Sequence, residues 1–245
     1  MISPKALIKR GARQLGYHIG RWPPERSLAE HIGELFRLLP IDCVFDVGAH
    51  RGEYGAFLRE LGYADEIFSL EPVRESFAAL DARSARDPKW TCFPLALGDA
   101  EGTLPFNVTH ATNFSSFLSP NAYCFDAFGE RGRVERSELV AVRRLETLFK
   151  DLLTRVAEPR AFLKLDTRGY DARVIEGLGS QLERVEALQT EVSVRPIYDG
   201  MPGYTEVIQR LIGAGFDLSG LFCVSRDAGL RVVEFDCVMV RGSTS

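Results

Sequence analysis

The run Val44-Phe45-Asp46-Val47-Gly48-Ala49-His50-Arg51-Gly52 begins as a short β-rich stretch and ends as a glycine turn. A buried strand here delivers Asp46 to its carboxyl end, and a helix is expected over residues 52–61. Gly48 and Gly52 let backbone N–H groups approach a ligand closely, and strand ends of an open α/β sheet are where ligands bind. The pattern is D-x-G-x-x-x-G, not the G-x-G-x-x-G of a dinucleotide pyrophosphate site. An acid just before the turn would repel a pyrophosphate. It can instead orient an ammonium group, directly or through water, and S-adenosylmethionine has such a group and no phosphate.

Outward from this turn the chain alternates helical and strand-like segments. SLAEHIGELFRLLP (27–40) places Leu28, Ile32, Leu35, Phe36 and Leu39 at helical spacing after a Ser N-cap and before Pro40. EIFSLEP is a second strand, residues 73–84 a second helix, and WTCFPLAL a third strand. GTLPFNV and ELVAVRR read as strands around a polar, aromatic, turn-rich stretch, and residues 107–136 are the natural place for a substrate lid. AFLKLDT, the helix DARVIEGLG, VEALQTEV and the helix GYTEVIQRLIGAG continue the rhythm. FDLSGLFCVS and RVVEFDCVMVR leave no room for a helix between them, so they pair antiparallel through Arg226–Leu230. Five strands alternate with helices and two end as a hairpin. The fold class is therefore α/β with a mostly parallel, Rossmann-like seven-stranded sheet.

The 245 residues, 45% of them apolar, suit one large domain, assigned to residues 27–245. No run approaches the length of a membrane-spanning helix. A net charge of −4 argues against nucleic acid as a partner. Five scattered cysteines without C-x-x-C pairing suggest neither a zinc site nor a disulfide framework, and a cytoplasmic location is expected. Residues 1–26 carry six bases against Glu25 alone, +5 in all, leaving −9 on the rest. This arm is expected either to pack on the domain as a helix or to make a peripheral contact with anionic lipid or an acidic partner.

Two further strand ends carry chemistry. Glu71, in Ser69-Leu70-Glu71-Pro72, lies some twenty residues past the turn, where a carboxylate can accept from both ribose hydroxyls. Leu97, Gly98 and Asp99 follow the third strand, placed to give apolar cover and a polar contact to an adenine ring. With VFDVGAHRG at 44–52, SLEP at 69–72, PLALGDAEGTLPF at 94–106, FLKLDTRGYDARVIEG at 162–177 and the block 187–218, the chain resembles the FkbM family of class I S-adenosylmethionine-dependent methyltransferases. The resemblance implies the methyltransferase sheet, S-adenosylmethionine as cofactor with S-adenosylhomocysteine as product, and methyl transfer to a hydroxyl of a sugar, glycolipid or secondary metabolite. It assigns cofactor binding to Asp46, Gly48, His50, Gly52, Glu71, Pro72, Leu97, Gly98, Asp99 and Asp166. His50 stands where the family commonly has Asn, and Arg168 where Gln or Glu is usual.

Methyl transfer to a hydroxyl is an in-line displacement that needs alignment and a proton acceptor. Asp166, at the end of the fourth main-sheet strand, is the first candidate for either role. Lys164, two residues earlier on the same face, pairs with it or supports the loop as a strand-end ion pair. His110 is the lid histidine, a residue type suited to act as a base. Asn113, Ser115, Ser116, Arg168, Glu191 and Tyr198 are candidates to hold the acceptor, a small molecule or glycan, with Arg168 expected to favour an acidic or phosphorylated one. Tyr123, Phe125 and Phe128 are candidates to stack on it, or to pack the lid. Asp166 and Glu191 are too few hard ligands for magnesium, so no metal is expected. A catalytically inactive binding protein on the same fold, or a nicotinamide-dependent oxidoreductase, are the alternatives.

Overall fold

The computed structural model describes residues 27–152 and 159–242. The basic segment 1–26, for which a surface helix or a lipid contact is expected, lies outside the described residues. Helix α1 (Leu28–Leu38) opens on a capping box. The Ser27 hydroxyl accepts from the Glu30 N–H, and the Glu30 carboxylate accepts from the Ser27 N–H at 2.8 Å. Then follow β1 (Cys43–Val47), α2 (Glu53–Glu60), β2 (Glu66–Leu70), α3 (Arg74–Ser84), β3 (Trp90–Phe93) and the two-residue β4 (Ala96–Leu97). An inserted hairpin is built from β5 (Gly102–Thr109) and β6 (Val134–Arg143), with α4 (Ala122–Phe128) between them. The chain continues with α5 (Leu145–Leu152), β7 (Ala161–Leu165), α6 (Asp171–Glu176), β8 (Val185–Ser193), α7 (Tyr204–Gly213), β9 (Phe216–Arg226) and β10 (Val232–Arg241).

The main sheet has seven strands in the order β3-β2-β1-β7-β8-β10-β9. Pairings from β3 to β8 are parallel, and β10 runs antiparallel to both β8 and β9. The chain moves outward from β1 to β3, then returns to the other side of β1 with β7. The carboxyl ends of β1 and β7 therefore diverge to form the crevice where such sheets bind ligands. Alternation along β1 places Cys43, Phe45 and Val47 in one core with Phe149 and Leu163. Val44 faces the other core, with Ile32, Leu58 and Phe162.

Two features differ from the sequence reading. WTCFPLAL is not one strand. It breaks at Pro94, which cannot donate to a ladder, so β3 stays in the main sheet while β4 pairs with β6 in a second, three-stranded sheet. The region read as an irregular lid is framed by long strands, and α4 is capped by Asn121, whose side chain accepts from the Cys124 N–H at 3.0 Å. Among the described residues no helix is long and apolar enough to cross a membrane.

Candidate active site at the strand ends

A cleft of about 590 Å³, counting its open mouth, lies at the ends of β1, β2 and β7 beneath the inserted hairpin. Leu70, Val73, Ala96, Leu97, Phe106 and Phe117 make one part of its wall apolar. Gly48, His50, Glu71, Thr112, Asn113, Ser115 and the run Asp166-Thr167-Arg168 make the rest polar. Gly48 has φ +77°, and a Cβ there would collide with the main-chain carbonyl of Asp166. Only glycine lets the turn pass so close to the end of β7. Gly52, at φ +80°, is the N-cap of α2 and packs against Leu80 and Trp90.

His50 takes φ +50°, a conformation uncommon outside glycine. Its N–H donates to Glu71 Oε2 at 2.9 Å, and its ring Nε2 lies 2.9 Å from Thr112 Oγ1. One residue thus ties the glycine turn to the strand-end carboxylate and to the lid. The other carboxylate oxygen of Glu71 accepts from the Val73 N–H at 2.8 Å. Burial pushes the Glu71 carboxyl up to about 7, with the Val73 and His50 N–H groups pulling the other way. Each oxygen keeps a lone pair, enough for two ribose hydroxyls.

Asp46 does not line this cleft. Alternation along β1 turns it to the face of Val44, where it is fully buried and accepts from Ser69 Oγ at 3.2 Å. Ser69 in turn accepts from the Trp90 indole at 2.9 Å. Asp46 therefore supports the turn from beneath, while Asp166, like Glu71, faces the cleft. Lys164 Nζ lies 3.2 Å from Asp166 Oδ2 and 3.8 Å from Asp46 Oδ1, joining the two. Burial would raise Asp166, but Arg168 and Lys164 outweigh it and hold the carboxyl below its ordinary value.

Arg168, at φ +52°, folds its guanidinium down into the sheet rather than out to an acceptor. Nη1 lies 2.5 Å from Glu191 Oε2 and 3.6 Å from Glu234 Oε1, and Nε lies 3.2 Å from Asp166 Oδ1. Three carboxylates already surround this cation, which removes the basis for a preference for acidic acceptors. Glu191 lies within β8, opposite Asp236 of β10, and Arg168 is its ion-pair partner.

The remaining candidates divide. Pro72, Leu97, Asn113 and Ser115 line the cleft. Asp99 points elsewhere, pairing with Arg173 at 2.7 Å, and Gly98 packs between Val142 and Tyr170. His110 is exposed, with Nδ1 2.7 Å from Glu135, and it does not reach the cleft. Ser116 is buried and donates to the Arg168 carbonyl at 2.9 Å. Tyr198 is a core residue, its hydroxyl donating to the Phe114 carbonyl at 2.7 Å. Both fasten the lid through these bonds. Among the lid aromatics, Phe128 packs on Phe114 and Tyr123 lies under Arg195, whereas Phe125 is exposed. Among the described residues no cluster of three potential metal ligands occurs.

Sequence reasoning missed Thr112, Thr167, Phe106 and Phe117. Phe106 was open to discovery through the alternation of Leu104, Phe106 and Val108 along β5. The threonines carry no signal, since their place depends on the lid closing onto the β7 loop.

A family model described as the Methyltransferase FkbM domain matches residues 46–218. The chain belongs to the FkbM methyltransferase family. A search of curated proteins found no match. Among solved structures, an FkbM methyltransferase from Methylobacillus flagellatus KT superposes with a TM-score of 0.51 at 16% identity. The match covers 82% of this chain and 43% of that one, so this FkbM chain spans less than half the length of that relative. An rRNA methylase from Streptococcus thermophilus is similar at a TM-score of 0.47 and 13% identity, over 89% and 98% of the two chains. The fold is that of class I methyltransferases, with the antiparallel hairpin at its end.

Proposed function

We propose that this FkbM domain transfers a methyl group from S-adenosylmethionine to a hydroxyl of a sugar, glycolipid or secondary metabolite in the cytoplasm. The observation that carries this reading is the placement of Glu71. It is a buried carboxylate at the end of β2, held by two N–H donors, between a glycine turn and an apolar slot. That set suits a nucleoside with free ribose hydroxyls and no phosphate. Gly48 supports the fit, since any side chain there would fill the close approach between the turn and the end of β7, and Thr167 adds a polar group to the same cleft. When bound, the cofactor supplies a sulfonium methyl group for in-line displacement.

The chain's own residues then bind, orient and shield. Glu71 accepts from the ribose hydroxyls, and Leu97, Phe106 and Phe117 cover the base. Asp166, anionic and partly exposed, faces the polar part of the cleft. There it accepts a hydrogen bond from the acceptor hydroxyl or from the ammonium group. Held low by two cations, it is a weak base, so it acts chiefly by alignment and electrostatic support; as the C–O bond forms and the C–S bond breaks, the hydroxyl proton becomes strongly acidic and passes to Asp166 and from there to solvent. The lid, fastened through His50–Thr112 and Tyr198–Phe114, excludes water from this space.

Incubation with S-adenosylmethionine and a panel of glycosides, glycolipids, polyketides, amines and RNA, followed by mass spectrometry, tests the reading. The expected result is a methylated acceptor and an equal amount of S-adenosylhomocysteine. Methylation confined to amines or to RNA across the panel would overturn the hydroxyl assignment.

A further inference from the structure

His50 makes contacts in two directions. Its backbone N–H donates to Glu71 Oε2 at 2.9 Å, on the carboxylate assigned above to the ribose hydroxyls. Its imidazole Nε2 lies 2.9 Å from Thr112 Oγ1, and Nδ1 lies 3.5 Å from Glu53 Oε2 at the start of α2. The ring is thus held on both sides, while the backbone, at φ +50°, belongs to the glycine turn. Thr112 opens the short turn Thr112–Phe114 of the lid, and its carbonyl accepts from the Ser115 N–H at 3.1 Å. Asn113 and Ser115, on either side of buried Phe114, line the cleft.

Among the described residues, His50 to Thr112 is the side-chain hydrogen bond that joins the glycine turn to the lid. Two other ties of the lid involve neither that turn nor Glu71. Ser116 donates to the Arg168 carbonyl, and Tyr198 donates to the Phe114 carbonyl. Glu71 therefore faces the ligand on one side and reaches the lid through a single residue on the other. A ligand that donates to Glu71 orders the carboxylate and the N–H bound to it. A turn already ordered loses less entropy when the lid settles on its ring.

We propose that His50 is a positioning residue through which cofactor binding sets the lid. Ribose hydroxyls on Glu71 fix the glycine turn, the imidazole passes that order to Thr112, and Asn113 and Ser115 take up their places in the cleft. The acceptor side of the site is complete only once the cofactor is in, so binding is ordered, cofactor first. This coupling rests on the cofactor binding proposed above and adds to it the order of assembly.

Hydrogen exchange of the full chain, with and without S-adenosylhomocysteine at a concentration that saturates each variant, reads the coupling directly. In the wild type the ligand is expected to slow exchange of lid amides 109–116 by roughly threefold to tenfold, the worth of one hydrogen bond. His50→Asn suits the left-handed backbone and so folds, but its amide nitrogen stands a bond closer to Cα than Nε2 and falls short of Thr112. The ligand should then leave lid exchange unchanged, and Thr112→Val should do the same from the other partner. A glutamine amide nitrogen lies as many bonds from Cα as Nε2, so His50→Gln should restore the slowing. A His50 that only stabilises the fold would shift thermal melting and leave the ligand-induced slowing in place. Equal slowing in His50→Asn and the wild type would overturn the proposal, as would a wild type that binds the ligand with no change at the lid. Absence of S-adenosylhomocysteine binding would instead overturn the cofactor reading, and this coupling with it.

Discussion

Glu71 links stability, pH and binding at one atom pair. Its raised carboxyl means the ligand-free protein is most stable with Glu71 protonated, and that contribution fades as pH rises from the ordinary carboxylate value through about 7. Ribose hydroxyls need the anion as acceptor, so cofactor affinity has the opposite slope. Calorimetry at a series of pH values should show S-adenosylhomocysteine binding about tenfold more weakly at pH 6 than at pH 8. A flat profile would remove Glu71 from the ribose contact. Asp166 makes a different prediction. Asp166→Asn keeps the shape and loses the charge, so turnover should fall sharply while cofactor affinity stays within a few fold. Full activity in that variant would take Asp166 out of the reaction. Gly48→Ala should fail on both counts, because its Cβ collides with the backbone of the β7 loop.

At the scale of elements, the capping box of α1 and the lid fastening are separable. Ser27→Ala should lower stability by about 1 kcal/mol without touching binding, measured by urea unfolding. Tyr198→Phe removes one hydrogen bond to the Phe114 carbonyl and should cost about 0.5–1.5 kcal/mol. It should also speed cofactor release, which stopped-flow fluorescence can follow. The contrast between these elements shows what was legible beforehand. Helices α1, α2, α3 and α7 and all seven main-sheet strands announce themselves by local period, caps and glycines, so the fold class could be read directly. Glu71, Gly48 and Leu97 were legible because strand ends place them. Asp46 was misread because one step of strand alternation decides its face. Tyr198, Ser116 and His110 were misread because the lid's packing rests on contacts far apart in sequence, such as Tyr198 with Phe114.

Across the whole molecule, the sheet's central strands carry an unusual charge load. Asp46, Lys164, Asp166, Arg168, Glu191 and Glu234 form a chain of ion pairs under the cleft. Burial pushes the Glu234 carboxyl up, against the pull of Arg168. Removing Arg168 leaves these acids facing one another. Arg168→Met should therefore destabilise the protein by roughly 3–5 kcal/mol at neutral pH, with part of the loss recovered in mild acid. Unchanged unfolding midpoints would show that the cluster is neutralised some other way. The central claim concerns the cleft these strands build. Its most direct test is calorimetric titration of the wild type and Glu71→Ala with S-adenosylmethionine and S-adenosylhomocysteine, with NADH and ATP as controls. One site per chain for the first two ligands, weakened by about 1–3 kcal/mol in the variant, is the predicted result. No binding by folded protein, or binding of NADH in their place, would contradict it.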